Sequence, residues 1–296
     1  MATIVIPTFN RSELLPQAID SALAQTVQCE VIVVDHGSSD QTPELIRAWG
    51  QAVRYVRRDI DSGPQFSWLD GALLASHEFV KILHDDDWLD PSFMDRCLSL
   101  MDSGTGFVFS AANVTDMDGI RMNTLFDDAF PKSGVYGSRS ERLRVANMMI
   151  SPTALVLRKQ ELIDGIYVDR LPFQENTFHG AGADHYLKMM ALLRYQNFGY
   201  VKEPLAYFRS HPGSITADAI ATGKKSGLTA TYSDVFGYFL LLDFARRTRL
   251  GKHVSRAHAV RQKFRSVFAF FPRYRNQVRK VGLVPQRLRR RKNSSQ

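Results

Sequence analysis

The feature that most constrains how this chain can fold is an apolar strand pattern that runs directly into three carboxylates. The pattern covers Phe79–Leu83, and His84 separates it from Asp85, Asp86 and Asp87. Three adjacent carboxylates repel one another, so the fold must supply a cation, hydrogen-bond donors or water at this point. Carboxylate oxygens at a strand end suit Mg²⁺ or Mn²⁺ bound to phosphate groups. The stretch therefore fits either a metal–diphosphate site or an acidic surface turn ahead of the next helix.

Strand and helix patterns alternate along the first 112 residues. The strand patterns are Thr3–Pro7, Glu30–Asp35, Val53–Arg57, Phe79–Leu83 and Phe107–Ala111. Helical spacing of apolar residues lies between most of them, and such alternation predicts an α/β fold with a mainly parallel sheet flanked by helices. With 44% apolar residues, the chain can form one large core.

The turn after the first strand argues against three classes of nucleotide-binding protein. It reads Pro7-Thr8-Phe9-Asn10-Arg11 and contains no glycine, whereas a dinucleotide-binding fold needs G-x-G-x-x-G there. The chain also lacks the G-x-x-x-x-G-K-[ST] loop of P-loop kinases. A nucleotidyltransferase would normally carry a glycine-rich, basic phosphate loop at the same place, so it remains the weaker alternative.

Polar side chains follow three of the predicted strands. Thr8, Asn10 and Arg11 follow the first strand, Asp35 ends the second, and the three carboxylates follow the fourth. The carboxyl ends of parallel strands lie at one edge of a sheet, so we expect these groups to share a crevice. There a carboxylate suits a base or ribose, a guanidinium suits a phosphate, and further carboxylates suit a metal on the diphosphate.

Four segments in register resemble family 2 glycosyltransferases of the GT-A fold. They are Ile4–Asn10, Ala18–Thr26, Val33–Thr42 and Lys81–Pro91. The resemblance is close over residues 2–112 and looser over 150–216. It implies an enzyme that moves a sugar from a nucleotide-sugar, with a UDP-sugar as first choice, to an acceptor hydroxyl with inversion. It also implies a Mn²⁺ or Mg²⁺ cofactor, a glycan or lipid-linked acceptor, and a place in surface polysaccharide or glycolipid biosynthesis.

The resemblance also implies roles for individual residues of the donor site. It assigns nucleotide binding to Pro7, Thr8, Asn10, Arg11, Asp35 and Asp85; the metal site to Asp86, Asp87 and His211; and diphosphate binding to Arg209. Asp35 would contact the uracil ring, and its structural alternative is a turn or helix-capping role. Arg209 would otherwise form an ion pair within the fold. His84 stands where the family often has the first acid of its Asp-x-Asp element.

The catalytic base implied by the resemblance is Asp184. Relatives carry Glu-Asp before an amphipathic helix, and here Ala183 replaces the glutamate. An inverting transfer needs one carboxylate to take the proton of the acceptor hydroxyl. A helix start favours the ionised carboxylate, although Asp184 could equally act as an N-cap. We expect the neighbouring His185 to be a surface or packing residue.

A second departure from the family lies at Ser67–Gly71. Many relatives have Ala-Arg-Asn-x-Gly there, and Trp68 and Leu69 replace the arginine and asparagine. We expect Trp68 to be a core residue. Together with Ala183, these changes leave open a catalytically degenerate scaffold that only binds a nucleotide-sugar.

The chain divides into a GT-A domain and a basic C-terminal region. We place the GT-A domain at residues 1–216, with a nucleotide-binding half at 1–112 and an acceptor half at 113–216, and a helical basic region at 217–296. Solvated loop acids are predicted in the acceptor half at Asp116, Asp118, Asp127 and Asp128.

Charge is distributed unevenly between the two parts. Arg246–Gln296 contains 17 lysines and arginines and no acid, whereas residues 1–245 contain 21 basic and 30 acidic residues. Either this tail packs its aromatic residues on the body, or it lies on a membrane with its cations on anionic headgroups. We favour the membrane surface, since it suits a lipid-linked acceptor. No nucleic-acid-binding module accompanies the tail, so we expect no specific nucleic-acid partner.

The remaining sequence signals favour a cytoplasmic location. The two cysteines, Cys29 and Cys97, are far apart and lack metal-ligand spacing, which is typical of a reducing compartment. The N-terminus runs straight into a strand pattern, so we expect no secretory signal. Phe236–Ala245 falls short of the ~20 residues of a membrane-spanning helix. We therefore expect a cytoplasmic protein that is peripheral on the inner face of the cytoplasmic membrane.

Overall fold

The computed structural model describes residues 1–61, 63–166 and 183–211, together with Gly237. Its helices are α1 (Leu15–Leu23), α2 (Thr42–Leu45), α3 (Pro64–Leu74), α4 (Phe93–Leu98), α5 (Arg139–Asn147), α6 (Lys159–Gly165) and α7 (Ala183–Arg194), with 3-10 turns at Ile46–Ala52 and Pro152–Ala154. Its strands are β1 (Ala2–Thr8), β2 (Cys29–Asp35), β3 (Arg54–Arg57), β4 (Phe79–Ile82), β5 (Trp88–Leu89), β6 (Thr105–Thr115), β7 (Arg121–Phe126), β8 (Gly134–Tyr136), β9 (Leu155–Arg158) and β10 (Asn197–Arg209).

One sheet connects all the strands of the described residues, in the order β3-β2-β1-β4-β9-β6-β10-β5. Strands β7 and β8 pair with β6 and β10 respectively. β1 to β4 are parallel to one another, whereas β9 is antiparallel to both β4 and β6. The predicted α/β fold is therefore confirmed: its nucleotide-binding half is a parallel sheet, and the sheet becomes mixed from β9 onward.

Burial on both faces explains the apolar composition of the central strands. Every residue of β1 is buried, as are the last five residues of β2, because helices cover both faces of this parallel sheet. α3 packs closely on β1 through Gly71, where a Cβ atom would lie 2.1 Å from a methyl group of Val5. Trp68 on the same helix is 3% exposed, which confirms the prediction that it is a core residue.

An aromatic cluster forms the core of the half that follows β5. The ring of Phe198 contacts those of Phe109 and Phe130, with centroids 6.3 and 5.7 Å apart respectively. Tyr200 joins this cluster, and its hydroxyl accepts a hydrogen bond from the amide of Ala129 at 3.2 Å. Packing of these rings holds β6 and β10 together as the parallel pair next to the site.

The prediction of four solvated loop acids in this half is wrong for one of them. Asp118 and Asp128 are exposed, and Asp116 closes a turn by accepting from the amides of Asp118 and Ile120. Asp127, in contrast, is buried, and its backbone adopts a left-handed conformation with φ of 60°. This turn directs the side chain inward, where the amide of Ser151 bonds it.

The predicted division into 1–112, 113–216 and 217–296 stays a prediction. The C-terminal region lies outside the described residues, apart from Gly237. Within the described part of the chain, no helix combines the length and the apolar character that crossing a bilayer requires.

Candidate active site

The loops after β1 and β2 are joined by hydrogen bonds, so the polar groups of both lie at one sheet edge. The Asn10 amide donates to the Ser38 hydroxyl at 2.9 Å, and the Asn10 side-chain oxygen accepts from the amide of Ser39 at 2.8 Å. Asn10 has φ of 54°, a left-handed conformation that asparagine tolerates. The amide of Ser12 donates to Asp40 at 3.0 Å. Thr8 and Pro7 lie at the buried end of β1 beside this pair of loops.

Asp35 is enclosed by the loop that it begins. It has no exposed surface, one of its oxygens accepts from the amide and hydroxyl of Ser38, and the other accepts from the Tyr55 hydroxyl at 2.5 Å. Protein donors therefore contact both oxygens of Asp35, and direct contact of this carboxylate with a uracil ring stays a prediction. Its turn role, the structural alternative, is the one seen here.

His36, the next residue, has a ring nitrogen that is available for a ligand. It is 3% exposed, its Nδ1 lies 3.1 Å from a carboxylate oxygen of Asp61, and its Nε2 is buried with no hydrogen-bond partner among the residues that the structure describes. Because a carboxylate accepts the proton on Nδ1, the Nε2 of the neutral ring is an acceptor. A buried acceptor without a partner has a desolvation cost, which a ligand N–H would offset.

The three carboxylates after β4 have different surroundings. Asp85 contacts the Thr8 side chain and the Phe9 amide, yet burial and the neighbouring Asp86 raise its pKa to about 7. Burial also raises the pKa of Asp87 well above its ordinary value, and the charge of Asp86 adds to that effect. Burial acts on Asp86 too, but the hydrogen bond from His211 and nearby positive charges lower its pKa. Asp86 is therefore the acid of the three that is held ionised.

Asp86 and His211 meet although they are 125 residues apart. His211 follows the end of β10, is 4% exposed, and places its Nε2 2.8 Å from a carboxylate oxygen of Asp86. A guanidinium nitrogen of Arg11 lies 3.3 Å from the same Nε2 of His211. The positive charge of Arg11 acts to lower the pKa of both Asp85 and Asp86. The structure thus brings together Arg11, Asp86 and His211, which the sequence placed in one site.

Three residues of the segment that follows β4 could together hold a metal ion. His84, Asp86 and Asp87 present ligand atoms within 4.8 Å of one another. Asp87 is positioned by the Thr153 hydroxyl at 2.7 Å and the Arg209 amide at 3.0 Å. Carboxylates with an imidazole fit a divalent ion, and Mn²⁺ or Mg²⁺ would complete its shell with phosphate oxygens. The residues present therefore fit the cofactor that the sequence predicts.

Arg209 makes several contacts within the fold. Its guanidinium donates to the carbonyl of Asp86 at 3.0 Å, to the carbonyl of Met117 and to the side-chain oxygen of Gln17, and it stacks 4.8 Å above the ring of Trp88. These three contacts with neutral oxygens hold the guanidinium within the fold, and diphosphate binding by Arg209 stays a prediction. The expected alternative, an internal ion pair, is absent from these contacts. Arg11 is the guanidinium that faces the acids.

Asp184 lies in the first turn of α7, and a short segment connects its helix with the acid cluster. On one side, the Met148 carbonyl accepts from Lys188 of α7; on the other, the Thr153 hydroxyl bonds Asp87. From Met148 to Thr153 an extended chain spans at most about 18 Å. The segment from Met148 to Thr153 therefore contacts both α7 and the acid cluster.

The match to the family model of Glycosyl transferase family 2 covers residues 3–164, more than half of the chain. The chain belongs to this family. Its solved structural neighbours include Staphylococcus aureus TarS 1-349 in complex with UDP-GlcNAc, at TM-score 0.59 and 17% identity, covering 86% of this chain and 77% of that one. The mannosyltransferase PcManGT from Pyrobaculum calidifontis, in complex with GDP-Man and Mn²⁺, matches at TM-score 0.52 and 16% identity over 92% of this chain and 81% of that one. These likenesses confirm the predicted GT-A fold of the family 2 member.

Two named relatives resemble the family 2 domain in sequence. The succinoglycan biosynthesis protein ExoO of Rhizobium meliloti is 32% identical over 130 residues, which are 43% of this chain and 37% of the relative. A GalNAc(5)-diNAcBac-PP-undecaprenol beta-1,3-glucosyltransferase of Campylobacter jejuni is 32% identical over 112 residues, 36% of each chain. The chain therefore spans little more than a third of these two relatives, and the matches support the family rather than a particular reaction.

Sequence reasoning missed four residues of this region: His36, Thr153, Lys188 and Asp127. A signal existed for His36, which stands beside Asp35 at a strand end. Lys188 lies four residues after Asp184, a spacing that places both on one helix face. No local pattern marks Thr153 or Asp127, because their partners are 66 and 61 residues away in the chain.

Proposed function

We propose that this family 2 protein is a metal-dependent, inverting glycosyltransferase that uses a nucleotide-sugar, UDP-linked as first choice. The observation that carries the proposal is the contact between Asp86 and His211 at the sheet edge, 2.8 Å from carboxylate oxygen to Nε2, with a guanidinium nitrogen of Arg11 3.3 Å from the same Nε2. A carboxylate kept charged beside an imidazole and a guanidinium suits a metal–diphosphate complex better than it suits a surface turn. The acceptor would be a hydroxyl of a surface glycan or of a lipid-linked glycan.

The nucleotide would bind across the loops that follow β1 and β2. In this proposal the buried Nε2 of His36 accepts a hydrogen bond from the imide N3–H of uracil, which cytosine lacks. Thr8 and Asn10 line the nucleoside, Asp85 lies near the ribose, and Arg11 donates to the diphosphate. Asp35 contributes indirectly, since it fixes the loop that presents His36.

A divalent ion would be held by Asp86, with Asp87, His84 and His211 around it. When bound, it would neutralise the charge that develops on the departing diphosphate. The structure of PcManGT contains Mn²⁺ together with GDP-Man, which is consistent with a Mn²⁺ cofactor here. Thr153 and the amide of Arg209 keep Asp87 in a fixed orientation next to that ion.

Asp184 is the proposed base. It would take the proton of the acceptor hydroxyl while the acceptor oxygen attacks the anomeric carbon from the face opposite the diphosphate. Its position in the first turn of α7 favours the ionised form that a base needs.

A second candidate function is nucleotide-sugar binding without turnover. The observations that favour it are Ala183, Trp68 and Leu69 at positions where many relatives carry polar or charged residues. Trp68 is buried and stacks with its ring centroid 6.2 Å from that of His84, and its indole does not supply the positive charge that an arginine would offer to a phosphate.

Donor hydrolysis and transfer with purified protein test both candidates. We expect turnover of a UDP-sugar in the presence of Mn²⁺, a loss of about a hundredfold or more for Asp184→Asn, and loss of metal-dependent UDP binding for Asp86→Ala. Asp184→Asn should still bind UDP in calorimetry. Binding of UDP with no turnover of any donor would support the scaffold, and wild-type turnover in both variants would overturn the assigned roles.

The proposed location is the cytoplasmic face of the membrane. The basic residues 246–296 would bind anionic headgroups, which would bring the site to an acceptor on a lipid carrier. The name of the Campylobacter jejuni relative, which acts on an undecaprenol-linked glycan, supports an acceptor of this kind. No specific nucleic-acid partner is proposed.

A further inference from the structure

A buried cluster of ionisable groups lies under the start of α7. Lys188 is fully buried and His185 is 2% exposed, and the Nζ of Lys188 lies 2.6 Å from the Nδ1 of His185. Lys188 also donates to the carbonyl of Met148. Burial lowers the pKa of His185 well below its ordinary value, and the neighbouring Lys188 adds to this effect. His185 is therefore neutral, and its Nδ1 accepts from the ammonium group.

Two acids flank this lysine from different elements. Asp184 precedes Lys188 by four residues, so the two side chains share one face of α7, and Asp127 comes from the turn after β7. Both carboxylates act electrostatically on Lys188, with Asp184 the stronger of the two. Asp127 is buried, and its Oδ2 has no hydrogen-bond partner among the described residues. A lysine in such a place is costly to bury, which a purely packing role would not explain.

The other charged groups packed against α7 lie at its opposite end. Arg194 pairs there with Glu161 at 3.0 Å and with Asp164 at 2.5 Å. Arg142 of α5 donates to the carbonyls of Tyr195 and Gln196. These groups lie more than a helical turn beyond Lys188. Arg194 is paired with the two acids, and Arg142 bonds the carbonyls at the end of the helix. Lys188, in contrast, interacts electrostatically with Asp184 at the start of the helix.

We propose that Lys188 is a positioning residue for the reaction, a buried cation that keeps Asp184 ionised and oriented as the base. This inference rests on the proposed function. Removing the cation would favour the protonated form of Asp184, so more alkaline conditions would be needed for it to accept a proton. Burial lowers the pKa of Lys188 to about 7, so most of its side chains carry the positive charge at pH values below 7. The effect should therefore be largest on the acidic side of neutrality.

The test compares full-length wild type, Lys188→Gln and Lys188→Arg in kcat/KM against pH. Glutamine retains a donor for the Met148 carbonyl but has no charge, whereas arginine retains the charge. For Lys188→Gln we expect the acid limb to move up by about one pH unit, with about tenfold lower kcat/KM on that limb. Lys188→Arg should restore most of the wild-type profile. UDP affinity should change less than about twofold in both variants, since Lys188 lies outside the donor site.

Lys159→Met serves as the matched control, because Lys159 also donates to a backbone carbonyl, that of the buried residue Ala75, at 2.7 Å. It should leave the pH profile unchanged. If Lys188→Gln folds less stably but keeps the wild-type acid limb, Lys188 is only structural and the inference is wrong. If glutamine does not yield folded protein, Lys188→Arg must still show a wild-type limb, and a shifted limb would overturn the inference. Absence of turnover in wild type rejects the proposed function itself, a result distinct from an unshifted limb.

Discussion

Thr153 is the residue through which the chain fixes one acid of the proposed metal site. Its hydroxyl donates to Asp87 at 2.7 Å and accepts from the amide of His84 at 3.3 Å. The turn that carries it is held by Lys81, which is fully buried and donates to the carbonyls of Pro152 and Thr153. The Thr153 hydroxyl thus connects the segment after β4 with the turn before β9.

The first prediction concerns this hydroxyl. Thr153→Val keeps the shape of the side chain but removes the hydroxyl donor from one oxygen of the buried Asp87 carboxylate, so we expect the free energy of unfolding to fall by about 1 to 3 kcal/mol. Urea denaturation measures the change. Thr153→Ser retains the hydroxyl and is the control, with a smaller loss. Equal losses in the two variants would show that the methyl group, and not the hydrogen bond to Asp87, is what matters.

The second prediction concerns nucleobase choice by His36. His36→Leu removes the acceptor, so we expect the preference for UDP over CDP to shrink by about tenfold, the value of a hydrogen bond worth 1.4 kcal/mol. Calorimetry with both nucleotides measures the preference. His77→Leu is the control, since His77 lies near Thr3 and Glu30 at the opposite end of the strands. An unchanged preference in His36→Leu would exclude His36 from base recognition.

At this scale the sequence predicts which residues follow a strand but not how they are partnered. Arg11, Asp86 and His211 were expected in one site and do meet. The sequence does not show which of Asp35 and His36 has hydrogen-bond partners within the protein. Loop geometry and the hydroxyl of Tyr55 decide that for Asp35. The roles of Arg209 depend on contacts with residues 92 and 192 positions away, which no local pattern contains.

At the scale of elements, α7 is held at both ends. Its first half is held by the Lys188 contact with Met148, and the carbonyls at and after its end are capped by the guanidinium of Arg142 in α5. That guanidinium donates to the carbonyls of Leu192, Tyr195 and Gln196. The carbonyls at a helix end have no intrahelical partner, so an arginine that satisfies several of them stabilises the end.

The third prediction follows from that cap. Arg142→Met should lower the free energy of unfolding by about 1 to 3 kcal/mol, because partly buried carbonyls lose their donors. Thermal or urea unfolding measures it, and amide exchange should rise at the end of α7. Arg139→Met, an exposed residue of the same helix, should change stability by less than about 0.5 kcal/mol. Similar losses in both variants would mean that charge on α5, rather than capping, is responsible.

Among the elements, the parallel strands were predictable and the antiparallel ones were not. β1 to β4 alternate with helices, which determines a parallel arrangement. The antiparallel insertion of β9 between β4 and β6 depends on long-range pairing, which no local pattern contains. The burial of Asp127 has the same origin, since a left-handed turn after β7 and a lysine on α7 create its environment.

At the scale of the whole molecule, opposite charges separate along the chain. The 17 basic residues of 246–296 follow a body with nine more acids than bases. Such a tail attracts an anionic surface, while the acidic body is repelled from it. The division in charge would thus orient the molecule at a membrane as well as bind it there.

The fourth prediction tests this with full-length protein and vesicles. Wild type should bind vesicles with anionic lipid, bind neutral vesicles weakly, and dissociate as salt is raised. A tail variant with Arg289, Arg290, Arg291 and Lys292 replaced by serine should lose binding by about tenfold or more, because each cation near the surface contributes about 1 kcal/mol. Co-sedimentation at several salt concentrations measures the affinity.

A body variant with the same change in net charge separates position from total charge. It replaces the exposed residues Arg47, Lys132, Arg139 and Lys202 with serine. If the tail binds the membrane, this variant should bind anionic vesicles nearly as well as wild type does. Equal weakening of the two variants would mean that net charge alone drives the association. If neither set of substitutions weakens vesicle binding, the contact lies elsewhere on the protein. That result would contradict the placement of the tail at the membrane surface.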